Sequence, residues 1–140
     1  MGDAHFILYV RDQRASAAFY SAVLGKSARL DVPGMTEFEL TDGAILGLMP
    51  ESGIKRLLGD ALVDPALANG APRAELYLLV DDPNAHHERA LAAGATALSA
   101  LAERDWGHRV AYSLDPDGHV LAFASPTAGE STKSSDRHAR

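Results

Sequence analysis

One order of predicted elements, a strand, a helix and three further strands, occurs twice along this chain of 140 residues. Residues 9–12 (YVRD) correspond to residues 79–82 (LVDD), and residues 41–48 (TDGAILGL) correspond to residues 116–123 (PDGHVLAF). The corresponding segments lie about 70 to 75 residues apart, as expected for a structural unit that is used twice. The chain is therefore predicted to fold as two copies of one motif.

Local signals define the first copy. Residues 5–10 are rich in branched and aromatic side chains and predict a buried strand. Asp12 is a suitable helix N-cap, and Gly25 supplies the left-handed stop. A one-sided apolar stripe with helical spacing lies between them, at Ala15, Ala18, Phe19, Ala22 and Val23. Turns that contain glycine separate three further predicted strands, at about 26–32, 35–40 and 44–49.

The second copy repeats these signals. Residues 75–80 predict a strand, and Asp82 followed by Pro83 predicts the start of a helix, because proline suits the first helical position. Gly94 is the expected helix stop. Three further strands are predicted at about 96–103, 108–114 and 119–124.

These segments predict one domain over residues 1–126. Module one covers about residues 4–50 and module two covers residues 74–126. A linker at 51–73 contains one short helical piece at 54–58. Residues 127–140 contain no large apolar side chain and are predicted to be a disordered tail, because they cannot offset the entropy lost on ordering.

Each module has one helix, which can cover only one face of its sheet. Two modules side by side would form a larger curved sheet with the helices outside. The predicted fold class is therefore α+β, with two βαβββ modules forming a curved mixed sheet around a cleft.

Composition excludes several classes of protein. The 13 basic and 19 acidic side chains give a net charge of −6, which argues against nucleic acid as a partner. The absence of cysteine excludes disulfides, thiolate metal sites and a cysteine nucleophile. No apolar run is long enough to cross a membrane, and the N-terminal residues lack the features of a signal peptide. A cytoplasmic protein without a membrane partner is expected.

Several short motifs resemble those of a known superfamily. They are residues 6–11, Phe19-Tyr20 with Leu24-Gly25, residues 106–109 (WGHR) and residues 115–119 (DPDGH). Together they resemble the vicinal oxygen chelate superfamily of glyoxalases, bleomycin resistance proteins and extradiol dioxygenases, over about residues 5–125. The resemblance implies the predicted fold. It does not specify an activity, because this superfamily includes isomerases, dioxygenases, thiol transferases and drug binders without catalysis.

The resemblance also implies four metal-ligand positions, two in each module. They correspond to His5, Gly47, Glu75 and Ala122. Glycine and alanine have no donor atom in the side chain, so no tight metal site and no cofactor are expected. A weak divalent-metal site that uses His5 and Glu75 is the alternative.

Strand alternation suggests which side chains face the cleft. In residues 35–40, Glu37 and Glu39 lie on the face away from the helix, toward the cleft or solvent, where either one could supplement His5 and Glu75. The same alternation adds an apolar and aromatic lining of Ile7, Tyr9 and Tyr77. Such a lining suits an uncharged or cationic organic molecule.

Two residues of the closing motif, Trp106 and Arg109, each have two interpretations. Trp106 is the only tryptophan, and its resemblance to drug-binding members implies a ring that stacks on planar ligands. A hydrophobic plug between the modules is the alternative. Arg109 either orients an anionic group of the ligand or forms a structural ion pair with Asp105 or Asp115.

The predicted function is that of a protein of the bleomycin-resistance type, which binds and sequesters a small organic molecule, such as an antibiotic or toxic compound, without a tight metal site. A divergent metal-dependent lyase, isomerase or dioxygenase with His5 and Glu75 as ligands is the first alternative. A non-catalytic accessory protein of a biosynthetic or regulatory pathway is the second. The resemblance further implies a homodimer.

Overall fold

The computed structural model describes residues 1–127 and divides the chain into two units between Ala71 and Pro72. Residues 128–140, which make up all but the first residue of the predicted disordered tail, lie outside the described residues. The elements of the first unit are β1 (Ala4–Val10), α1 (Gln13–Leu24), β2 (Leu30–Val32), β3 (Met35–Thr41), β4 (Ala44–Pro50) and α2 (Glu51–Leu58). Two 3-10 helices follow, at Gly59–Ala61 and Pro65–Ala68.

The second unit has the same order of elements. They are β5 (Glu75–Leu79), α3 (Pro83–Ala92), β6 (Thr96–Glu103), β7 (His108–Leu114) and β8 (Val120–Pro126). Each unit forms a four-stranded mixed sheet, with strand orders β1-β4-β3-β2 and β5-β8-β7-β6. The first strand runs parallel to the last strand of its unit, and the other pairs are antiparallel. The predicted α+β class and the duplicated βαβββ order are confirmed.

Helix α1 begins and ends where the sequence predicts. The Asp12 carboxylate accepts a hydrogen bond from the backbone N–H of Ala15 at 3.0 Å, and Gly25 ends the helix in the left-handed conformation at φ 68°. The buried face differs from the predicted stripe. It consists of Ser16, Phe19, Tyr20 and Val23, whereas Ala15, Ala18 and Ala22 are exposed. Burial of the large Tyr20 ring lowers the free energy more than burial of an alanine methyl group does. The helix therefore turns Phe19 and Tyr20, rather than the alanines, toward the sheet.

Strands β6 and β7 have the predicted bounds, whereas the other six differ from theirs by one or more residues. Strand β2 differs most and covers only Leu30–Val32, and the carbonyl of Lys26 accepts a hydrogen bond from the Ser21 hydroxyl. Strand β8 starts one residue late because His119 closes the preceding turn. Its N–H donates to the Asp115 carboxylate, and its carbonyl accepts from the Asp115 N–H.

The predicted linker is largely folded. Helix α2 starts at Glu51, three residues before the predicted helical piece, and buries Ile54. The Lys55 ammonium donates to the carbonyls of Gly59 and Leu62 at 2.9 and 2.7 Å, which ties the first 3-10 turn to the helix. No helix among residues 1–127 is long and apolar enough to cross a membrane.

In each sheet one face packs against a helix. Strand β1 buries Leu8 and Val10 on the face of α1, and β3 buries Thr36 and Phe38 on that face. In the second unit, Ala111 and Phe123 are buried on the face of α3. The opposite faces therefore hold the remaining alternate side chains, and these include most of the predicted site residues.

Two glycine substitutions test the local backbone. We expect Gly25→Ala to destabilise the protein by about 1 kcal/mol, because a β-carbon disfavours the left-handed conformation although no atom lies within 4 Å of it. Gly53 lies inside α2, where alanine would make ordinary contacts at 3.9 Å, so Gly53→Ala should stabilise by about 0.5–1 kcal/mol. Denaturant unfolding should show a lower free energy of unfolding for Gly25→Ala and a higher one for Gly53→Ala. Equal changes in the two variants would contradict this assignment of the α1 terminus.

Candidate functional site

The face of the second sheet away from α3 carries a group of aromatic side chains. Alternation along β5 places Glu75, Tyr77 and Leu79 on this face. Ala122 of β8 lies between Tyr77 of β5 and Tyr112 of β7 in the cross-strand register. Tyr77 and Tyr112 therefore lie on either side of this small residue.

A chain of hydrogen bonds holds Trp106 to this face. The Trp106 indole N–H donates to the Tyr77 hydroxyl oxygen at 2.9 Å, and that oxygen lies 2.6 Å from Nδ1 of His108. The Tyr77 hydroxyl therefore links the Trp106 indole N–H to the imidazole of His108. His108 is only 2% exposed. The indole and phenol rings are therefore anchored to a buried group.

The rings lie on a floor of small side chains. Val110, Ala122 and Ala124 are completely buried, and the half-buried rings of Tyr77, Trp106 and Tyr112 pack against them. These six residues, together with His108, are called the aromatic face below. Ala122, one of the four positions implied by the resemblance, thus lies beneath the rings.

Arg104 completes one end of the aromatic face. Its guanidinium carbon lies 5.3 Å from the centre of the Tyr112 ring, within the range of a cation–π contact. One guanidinium nitrogen donates to the Ser99 hydroxyl and to the Val110 carbonyl at 2.9 and 2.8 Å. These bonds fix the positive charge beside the aromatic rings.

Sequence reasoning selected Tyr77 and Trp106 but missed Tyr112, His108 and the adjacent Arg104. Tyr112 flanks Ala122 on the side opposite Tyr77, a position that depends on the strand register. The bond of His108 to Tyr77 joins residues 31 positions apart, which no local pattern reveals. Arg104 gives no signal in the sequence, because a single arginine in a turn is ordinary.

The other predicted residues of module two lie apart from the rings. Glu75 is exposed and shares the ring-bearing face through strand alternation. Arg109 is also exposed, and it lies on the opposite face from its neighbour Val110, across from Glu103 of β6.

Module one contains a charged group on the face away from α1. The Glu37 carboxylate lies 3.4 Å from Nδ1 of His5 and accepts a hydrogen bond from Nε of Arg29 at 3.0 Å. Arg29 also lies 4.0 Å from the Asp3 carboxylate. The side chain of Glu37 is 12% exposed and that of His5 is 38% exposed. Structure thus brings the predicted His5 and Glu37 together.

The remaining predicted residues of module one are also placed. Ile7 and Tyr9 share the face of His5 by strand alternation, with Ile7 exposed and Tyr9 half-buried. Glu39 lies two residues from Glu37 on the same face, but it is exposed and takes no part in the contacts with His5 and Arg29.

The residues at the implied ligand positions do not fit a divalent metal. A β-carbon at Gly47 would lie 3.1 Å from side-chain atoms of both Ile7 and Met35, so neighbouring side chains occupy the space that a ligand would need. Ala122 is completely buried beneath side chains of the aromatic face, the rings of Tyr77, Trp106 and Tyr112 among them. Residues 1–127 contain no group of three or more His, Asp or Glu side chains that could hold an ion. Beside His5, the Arg29 guanidinium already provides the cation that Glu37 binds.

Comparison with known proteins places this geometry in a family. A family profile described as a glyoxalase-like domain matches residues 5–124. An uncharacterized protein of Mycobacterium bovis is 33% identical over 79 residues, which are 56% of this chain and 51% of that protein. The chain thus spans about half the length of the curated relatives it matches.

Two solved structures support the fold. A glyoxalase-related enzyme from Fulvimarina pelagi is 25% identical, with 87% of this chain and 86% of that chain covered and a TM-score of 0.74. A glyoxalase/bleomycin resistance protein/dioxygenase from Nocardioides is 24% identical, with 90% and 83% covered and a TM-score of 0.71. The second of these shows the fold alone. The glyoxalase/bleomycin resistance fold expected from the sequence is confirmed.

Removing one hydroxyl tests the hydrogen-bonded chain. Tyr77→Phe keeps the ring but deprives the Trp106 N–H and His108 Nδ1 of a partner. We expect a loss of about 1–2 kcal/mol of stability and a change in the emission of Trp106. Tyr20→Phe, which removes a phenol hydroxyl from the core of module one, is the matched control and should leave the emission of Trp106 unchanged. An unchanged emission spectrum in Tyr77→Phe would show that this hydroxyl does not hold the indole.

Proposed function

This chain belongs to the glyoxalase-like domain family of the vicinal oxygen chelate superfamily, and we propose that it binds and sequesters a small planar organic molecule on its aromatic face. The observation that carries the proposal is the fixed position of Trp106. Its indole is hydrogen-bonded to Tyr77, which is bonded in turn to the buried His108. A ring held in this way loses little conformational freedom when a ligand stacks on it.

The charges near the rings favour an uncharged or cationic ligand. Glu75 lies on the same face of the sheet and is exposed, so it is available to a positive group. The positive charge of Arg104 already lies beside the Tyr112 ring and three oxygen acceptors. Stacking between aromatic rings contributes about 0.5–1.5 kcal/mol beyond the burial of apolar area. Stacking on these rings would therefore add to the free energy gained by burying the ligand's apolar area.

The mechanism proposed is mass action without a cofactor. A ligand bound with a Kd well below its concentration is removed from its cellular target, which is how a binder confers resistance to an antibiotic or toxic compound. The residues at 47 and 122 support metal independence, because one lacks space for a donor and the other forms the floor beneath the rings. The proposal includes a cytoplasmic homodimer that does not bind nucleic acid or membranes.

An enzymatic alternative is favoured by one observation, the approach of His5 to Glu37. These side chains supply two of the donor types that divalent metals use. These two side chains would be the ligands of a divergent metal-dependent lyase, isomerase or dioxygenase. The ion pair between Arg29 and Glu37 opposes this role, because the metal would have to displace or tolerate a guanidinium.

Fluorescence of the single tryptophan tests the binding proposal. Titration with proflavine, ethidium and 2-naphthol should quench Trp106 saturably for at least one compound, since stacking brings the ligand into contact with the indole. Calorimetry should then show binding weakened by about tenfold or more in Trp106→Ala. Mass spectrometry should recover the ligand unchanged, as sequestration requires.

An exposed apolar residue of the other unit supplies the control. Leu67 is 74% exposed in the second 3-10 helix, and Leu67→Ala should bind like the wild type. If no compound in a broad panel of planar molecules binds, or if both variants bind equally well, the proposed site is wrong. A non-catalytic accessory protein would then be the better interpretation.

A second titration tests metal independence. Protein purified without chelators and titrated with nickel, zinc, manganese and iron should show no tight site of one-to-one stoichiometry, because positions 47 and 122 supply no donor. His5→Ala is the diagnostic variant. Tight stoichiometric binding in the wild type that disappears in His5→Ala would instead establish the enzymatic alternative.

A further inference from the structure

Module one contains a groove on the side of its sheet that faces α1, away from the group of His5 and Glu37. It lies between α1 and the hairpin of β2 and β3 and has a volume of about 900 Å³. We propose that this groove binds a small amphipathic carboxylate, an organic acid with a short apolar chain. The site is separate from the aromatic face and does not depend on the function proposed for it.

The groove exists because small side chains stand where larger ones would fill the space. Its helix wall is formed by Ala17, Ala18 and Ser21, and its opposite wall includes Ser27 and Ala28. Phe38 and Pro50 contribute to its apolar lining. A volume of this size lies within the range of about 300–1,000 Å³ that is usual for sites that bind small molecules.

Gln13 holds the two walls of the groove together through hydrogen bonds. The side-chain amide of Gln13 donates to the Val32 carbonyl at 2.8 Å and to the Thr36 hydroxyl at 2.9 Å, and its oxygen accepts from the Gly34 N–H at 2.9 Å. Thr36 in turn donates to the Asp31 carboxylate at 3.0 Å. The hairpin is thus tied to the first turn of α1, so the walls are preformed and a ligand need not order them.

The groove is lined by two arginines and two carboxylates, and one of the arginines is available to an anion. Both carboxylates of the groove are engaged within the protein, Asp12 by the N–H of Ala15 and Asp31 by the hydroxyl of Thr36. Arg14 is exposed and forms no ion pair with a carboxylate of residues 1–127. An arginine binds a carboxylate through two parallel hydrogen bonds. A carboxylate at Arg14 would leave its apolar chain along the alanines of α1.

Amide spectra of the full ¹⁵N-labelled chain, titrated with hexanoate, hexanol and hexylammonium, test this site. Hexanoate should shift the amide signals of Ala17, Ser21 and Ala28 saturably in the millimolar range, and hexylammonium should not. Arg14→Gln should weaken hexanoate by about fivefold or more and leave hexanol unaffected, because it removes the charge but not the apolar walls.

Two substitutions on the same helix supply a matched pair. Ala18 and Ala22 are both exposed on α1, but only Ala18 lines the groove. Ala18→Leu should abolish hexanoate binding by filling the space, whereas Ala22→Leu should bind like the wild type, and both should keep a folded spectrum because leucine is a good helix former. The absence of saturable shifts with hexanoate, equal binding by these two variants, or equal binding of hexylammonium would overturn the proposal. Emission of Trp106 reports separately on the aromatic face.

Discussion

Each half of this molecule depends on the packing of one amphipathic helix against one face of a four-stranded sheet. Because strand side chains alternate between faces, burial of Leu8 and Val10 beneath α1 places His5, Ile7 and Tyr9 on the other face. A shift of β1 by one residue in its register would exchange the side chains on the two faces of this strand. The hydrophobic core therefore decides the orientation of the polar and aromatic groups, and the proposed functions follow from that orientation.

The two modules use their free faces differently, although they share one topology. Module one presents an ionic group in which Glu37 lies between His5 and Arg29. Module two presents rings that are held by hydrogen bonds above Val110, Ala122 and Ala124. Gly47 and Ala122 stand at corresponding positions of the two modules, have no donor side chain, and are surrounded or covered by apolar neighbours.

Much of the architecture was predictable because its signals are local. Asp12 and Gly25 define α1, and the predicted bounds of β6 and β7 agree with the structure. Predictions were less accurate where several side chains could take the same buried position or where a backbone group had more than one possible hydrogen-bond partner. The α1 stripe was centred on alanines, but Tyr20 is buried instead, and His119 forms a turn with Asp115 rather than the first ladder pair of β8. Such choices depend on the relative free energies of contacts that a linear pattern does not contain.

The sequence by itself determined the duplicated strand and helix order, the α+β class, and the absence of side-chain donors at positions 47 and 122. It also selected Tyr77 and Trp106 as candidates. Only the tertiary structure joined these two residues to His108, paired His5 with Glu37, and opened the groove that Gln13 holds beside α1. The physical reason is distance along the chain. Caps, turns and alternation act between near neighbours, whereas these contacts join residues that only the folded backbone brings together.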